Sequence, residues 1–236
     1  MDLQHFDLPV AVTLRLQSRS GSINVVAEPR EDVVVEGDKF DATEADGGAT
    51  LDVRSGHGGS KSLLVRCPIG TDVVVGTQSG GVNLKGEFGT VSVTTMSGNI
   101  EVERADEADL RSGAGGVHLG SCSGRCRMHS MSGSIMAGVV GAASAGTVSG
   151  SITIDRVAGR FKARSVSGTI RASCDCDGEI IVKTVSGKVH LELPTGTALD
   201  TRFKTLSGKV SNPFPAGHDC RLEAMSISGS IELVPS

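Results

Sequence analysis

The phrase Ser-Gly-x-Ile/Val occurs nine times, with glycines at 21, 80, 98, 133, 150, 168, 187, 208 and 229; a degenerate copy at Gly115 has Ala114 in place of the serine. From Gly80 the successive steps are 18, 17, 18, 17, 18, 19, 21 and 21 residues. A unit this short cannot bury a core alone, but a stack of such units can. No other feature restricts the possible folds as strongly.

The residues around each glycine give the shape of the unit. Position −3 is Thr or Ser, as in Thr95, Thr147, Thr184 and Ser226. Position −5 is mostly apolar, as in Val93, Ala145, Ala163 and Val182. Position −2 is usually apolar as well, and position +2 is always Ile or Val. Alternation with a period of two marks half-buried strands. Inward positions are odd before the glycine and even after it, so the chain bends at Ser-Gly, where a Cβ would obstruct the bend. Each repeat reads as strand, corner, strand and loop. The corner pairs are Ser97 and Gly98, Ser132 and Gly133, Ser149 and Gly150, Ser167 and Gly168, Ser186 and Gly187, Ser207 and Gly208, and Ser228 and Gly229. The serine column, read as inward, and the Thr/Ser column can hydrogen-bond between rungs and to the turn backbone.

The expected fold is therefore all-β: a parallel β-solenoid of about 18–21 residues per coil over residues 76–236. Residues 1–75 keep strand-like runs but lose the corner phrase. They read as irregular first coils or an N-terminal β cap, with 41–62 as its longest loop. Aromatics are 3% of the chain, with no Trp and no Tyr, so the core is left to Val, Ile, Leu and Ala.

An opening FDLPVAVTLRLQSRSGSINV followed by VSGxI repeats resembles a bacterial β-strand-repeat family of unknown function, often catalogued as "putative adhesin". The resemblance implies a right-handed β-helix with no established catalytic activity. The adhesin name implies export. The N-terminus MDLQHFDLPV, however, lacks a basic n-region and an apolar run, and no stretch is long and apolar enough to span a bilayer, so the expectation is cytoplasmic.

Chemistry is sparse. SGHGGSKS at 55–62 departs from a phosphate loop at Ser60, and no helix pattern follows it. Cys174 and Cys176 would share a side if CDCDGE were extended, which makes them weak metal candidates beside a reading as small structural residues. Cys122 and Cys126 form the other close pair, and unpaired cysteines suit a reducing compartment. No Ser, His and carboxylate group by register. A polysaccharide-active β-helix would grip sugars with aromatic rings that this chain lacks. The chain is expected to be non-enzymatic and to need no cofactor.

One surface feature stands out. Positions −6 and −4 are outward and carry Arg127, Lys162, Arg164, Lys183, Arg202 and Lys204. Stacked in sequence order they form a basic stripe on a chain of net charge −4. It reads either as a solvated face or as a docking stripe for an acidic protein, an anionic polymer or a lipid surface. Nucleic acid is not expected, because single strands need aromatic platforms. The alternative role is end-to-end self-assembly of a structural protein through the final strand, Ile231 to Val234.

Overall fold

The computed structural model describes residues 2–7, 12–55 and 62–236, and SGHGGSKS lies, apart from Ser55 and Ser62, outside them. The chain divides into two compact units, Met1–Ser121 and Cys122–Ser236. The boundary read at 75/76 falls within a strand of the first unit.

The first unit contains β1 (Asp2–Phe6), β2 (Thr13–Ser20), β3 (Ile23–Glu28), β4 (Val33–Gly37), β5 (Phe40–Ala45), β6 (Thr50–Ser55), β7 (Leu63–Pro68), β8 (Asp72–Ser79), β9 (Val82–Thr95) and β10 (Ile100–Ser112). Parallel pairing builds the coils, and the first coil of the chain is not the outermost. Strand β2 lies between β6 and β8, and β3 lies between β7 and β9. The irregular cap is antiparallel: β1 pairs with β4, β4 with β7, and β5 with β6.

The loop expected over 41–62 is in large part a hairpin. Phe40, Leu51 and Val53 are buried, and the turn Asp46–Gly48 puts Gly47 at φ 68°. The Gly- and Asp-rich composition supplies the turn, while the alternating apolar residues supply its strands.

A long strand, β11 (Val117–Ser132), contains the division between the units. The second unit continues with β12 (Ile135–Ser149), β13 (Ile152–Val157), β14 (Phe161–Ser167), β15 (Ile170–Cys174), β16 (Ile180–Ser186), β17 (Val189–Leu193), β18 (Leu199–Ser207), β19 (Val210–Ser211), β20 (Cys220–Ser228) and β21 (Ile231–Pro235). Its core is a set of columns. Ile135, Ile152, Ile170, Val189 and Ile231 stack in register at position +2. Ala145, Ala163, Val182, Ala224 and Phe203 stack at position −5. Each fully buried Ile or Val contributes about 1.5–3 kcal/mol.

The coil order departs from the sequence order. Strand β20 lies between β16 and β18, parallel to both, and β21 pairs along β17 and touches β19 through Val210 and Ser211. The last strand is therefore not the exposed edge: Ile231 and Leu233 are buried. The outer strand is β18, part of which is met by the parallel bridge from Leu199 to Ala216. The repeats at Gly187, Gly208 and Gly229 have interchangeable phrases, so their sequence does not fix the order in which they stack.

The corner glycines show the same order. A Cβ on Gly168 would overlap the Gly150 carbonyl, on Gly187 that of Gly168, on Gly229 that of Gly187, and on Gly208 that of Gly229. Glycine is required here by the approach of one rung's backbone to the next. The bend is wider than a single residue. Position −3 is buried, but −2 and −1 both turn outward, so the corner serines are exposed rather than inward. The buried column bonds only in part. Ser112 Oγ donates to Gly98 O at 3.1 Å and Thr147 Oγ1 to Gly133 O at 3.3 Å, whereas the hydroxyls of Thr95, Ser165 and Thr184 have no partner among the described residues. The outward Ser97 Oγ donates to Gln78 O, one rung away, at 3.3 Å.

Candidate basic docking site

The side chains that point outward before each corner fall at −4, −6 and −8. In β12 these are Gly146, Ser144 and Ala142, all small. The flanking strand β11 presents His129, Arg127 and Arg125, and the other side presents Arg164, Lys162 and Arg160. Register places Ser144 beside Lys162 and Gly146 beside Arg164. Small residues between two rows of long cations leave a depression of about 430 Å³ lined by Arg125, Arg127, Ala142, Ala143, Ser144, Arg160 and Lys162. The rungs that carry Arg127 and Lys162 are two strand spacings apart, about 9.6 Å. Gly146 matters to this geometry, because a Cβ there would lie 2.6 Å from His129 Nδ1. The His129 ring occupies the space that a larger residue would fill.

The electrostatics are one-sided. Among the described residues no carboxylate lines the depression. Its four cations have no ion pair among the described residues, unlike Arg111 with Asp109 or Arg156 with Asp175. In water-exposed surroundings such cations attract anions mainly through their number and closeness, since screening weakens interactions beyond about 8–10 Å.

The basic stripe read from the sequence is not continuous. Arg127, Lys162 and Arg164 come together, and Lys183 follows beside Arg164. The next strand inward from β18 is β20, which puts Glu223 and Met225 in the columns where Arg202 and Lys204 were expected. Lys183 Nζ lies 3.0 Å from Glu223 Oε1, and its hydrogen bond holds the Glu223 carboxyl below the usual range. Arg202 and Lys204 sit on the far side of that strand.

Arg125 and Arg160 complete the site and were missed, although they lie on the outward parity two residues before Arg127 and Lys162. The division of charge was also legible. The second unit has 13 Lys and Arg against 9 Asp and Glu, and the first has 10 against 18.

The cysteines behave differently from the sequence reading. Cys122 and Cys126 form a disulfide with Cα atoms 6.5 Å apart, so these two are not unpaired thiols. Cys176 has φ 67°, so CDCDGE is not extended and the pair Cys174 and Cys176 is not aligned on one side. Cys174 is buried, which pushes its thiol up to about 12. The Cys176 thiol hydrogen-bonds to Cys220, an interaction that raises Cys176 and lowers Cys220. Among the described residues no three His, Cys, Asp or Glu side chains gather to hold a metal ion.

Comparison with known proteins adds a family and a fold. The family described as Toastrack DUF4097 matches residues 70–231. A "putative adhesin" from Bacteroides fragilis superposes with a TM-score of 0.50 at 14% identity, covering 99% of this chain and 96% of the other. A second, from Parabacteroides distasonis, gives 0.43 at 11% identity over 99% and 97%. No curated protein matches the chain. At these identities the likeness is one of fold.

Proposed function

Since the chain belongs to the Toastrack DUF4097 family, we propose that it is a non-enzymatic β-solenoid whose basic face is a rigid docking surface for an anionic partner. The observation that carries this reading is the depression between Arg125, Arg127, Arg160 and Lys162, with four cations and no carboxylate. Rigidity adds to the effect. Lys162 projects from β14, which pairs in parallel with β12 on one side and β16 on the other, so little backbone ordering remains there to oppose binding. Arginine forks suit the paired oxygens of phosphate and carboxylate groups. The absence of Trp and Tyr and the burial of Phe161 leave this face without a stacking platform, which favours recognition of charge over recognition of bases or sugars. The Bacteroides fragilis structure carries the name "putative adhesin", and a docking role accords with it.

The test is titration with inorganic polyphosphate over a range of salt concentrations. Wild type is compared with an Arg125→Glu, Arg127→Glu, Arg160→Glu, Lys162→Glu variant and with Arg171→Glu on another strand. The expected result is salt-sensitive binding whose log–log slope drops by about one for each cation removed, with Arg171→Glu close to wild type. Equal affinity for all three proteins refutes the reading.

A further inference from the structure

The second unit has an exposed apolar ridge that its charges do not explain. At position −2, on the outer side of the corner, stand Met131, Val148, Val166, Val185, Ile227 and Leu206 in rung order. Their exposure ranges from 42% at Val185 to 86% at Leu206. Soluble surfaces tolerate single apolar residues, but an unbroken line of them marks an interaction site. Six rungs at the strand spacing make a straight edge about 24 Å long. It is also preformed, because the stacked glycines hold every corner in the same place.

The rims of the ridge are basic. On the −4 side lie Arg164, Lys183 and Lys204, with Met225 between the two lysines. On the +1 side lie the exposed Lys188 and Lys209. The nearest carboxylates, Glu223 and Glu232, are one outward position further away, and Glu223 is engaged by Lys183. An apolar line with cations on both flanks matches one kind of surface: a hydrocarbon boundary overlaid by anionic headgroups. A second copy fits poorly, because apposing two ridges brings like-charged rims together. We propose that this edge docks on an anionic lipid bilayer. The ridge side chains enter the boundary between headgroups and acyl chains, while the flanking cations meet headgroup phosphates and the long lysine stems reach back from the apolar layer. This rests on the docking reading above and names the partner of that face.

The experiment is co-flotation with phosphatidylcholine vesicles, with and without phosphatidylglycerol. Wild type, a Val166→Ser, Val185→Ser, Ile227→Ser ridge variant and the Arg125→Glu, Arg127→Glu, Arg160→Glu, Lys162→Glu variant are compared, each also titrated with polyphosphate. Equal melting temperatures establish that the ridge variant is folded. The expected result is selective flotation of wild type with the anionic vesicles and a loss of about tenfold or more in the ridge variant, whose polyphosphate affinity stays unchanged. Because the chain has no Trp, Val185→Trp gives a single reporter, and its emission should shift to the blue on adding anionic vesicles and stay fixed with neutral ones. Flotation of the ridge variant equal to wild type, or an unshifted Trp, overturns the inference. Polyphosphate binding without flotation also overturns it and leaves the docking reading standing. Binding to polyglutamate without flotation does the same in favour of an acidic protein. Failure to bind polyphosphate, polyglutamate or vesicles overturns both.

Discussion

Gly187→Val tests the corner as the mechanical basis of the fold. A Cβ at Gly187 would overlap the carbonyl oxygen of Gly168 and lie 2.9 Å from that carbonyl's carbon and 3.2 Å from the Gly168 nitrogen. Relief requires the two rungs to separate by about 1 Å at the corner. That strains Gly187 N to Ser228 O and Gly168 N to Ser186 O, both 3.2 Å long. Overpacking costs about 2 kcal/mol, and each of the two weakened bonds costs about 1 kcal/mol, for a total of about 4 kcal/mol. For a chain of this size that lowers Tm by roughly 8–16 °C. Two controls isolate the cause. Lys183→Ser removes an outward side chain and should leave Tm within about 2 °C. Gly76→Ala adds a Cβ where nothing lies within 4 Å and should be neutral or slightly stabilising. Differential scanning calorimetry of the four proteins is the assay. If Gly187→Val melts with Lys183→Ser, or if Gly76→Ala falls as far as Gly187→Val, the close-approach argument is wrong.

Other perturbations reach different parts of the structure. Phe161 is fully buried, so Phe161→Ala should cost about 3–5 kcal/mol in denaturant unfolding of the second unit. Deleting residues 220–236 removes β20 and β21, leaves β18 without its strand partner and opens the side of β16 that faces away from β14; proteolysis should then cut within 180–211 at protease levels that spare the full chain. Burial pushes the Cys67 thiol up to about 11 from an ordinary value near 9. Its folded-state value is the higher one, so its contribution is intact below pH 9 and is lost as pH rises from 9 to 11, when only the unfolded chain gives up the proton. Cys67→Val should flatten the stability profile over that window, measured by denaturant titration.

The residues that carry the fold were readable because they obey one parity. Val182, Thr184 and Val189 alternate toward the core around Gly187, and the structure buries all three. Ser186 broke the rule: the parity switch is spread over the corner, so position −1 turns out together with −2, and residue spacing alone does not locate a bend to within one residue. The hairpin of β5 and β6 was hidden by composition, since the Asp and Gly that make its turn resemble those of a loop. The site was half visible. Arg127, Lys162 and Arg164 follow from counting back from the glycines, whereas the exclusion of Arg202 and Lys204 depends on β20 entering between β16 and β18. Near-identical corner phrases have near-identical pairing energies, and no local pattern of residues records which of them are neighbours.

That placement of β20 and β21 bears on how the protein is made and how it can change. A repeat array with its last coil outermost can begin to close as each coil leaves the ribosome, and it can lengthen by tandem duplication at its tail. Here a stretch translated later fills a position between two coils translated earlier. The second unit therefore cannot complete its pairing until Cys220–Pro235 has cleared the exit tunnel. A duplicated copy of Cys220–Pro235 would find the position between β16 and β18 already occupied, so duplication of that segment does not extend the stack there.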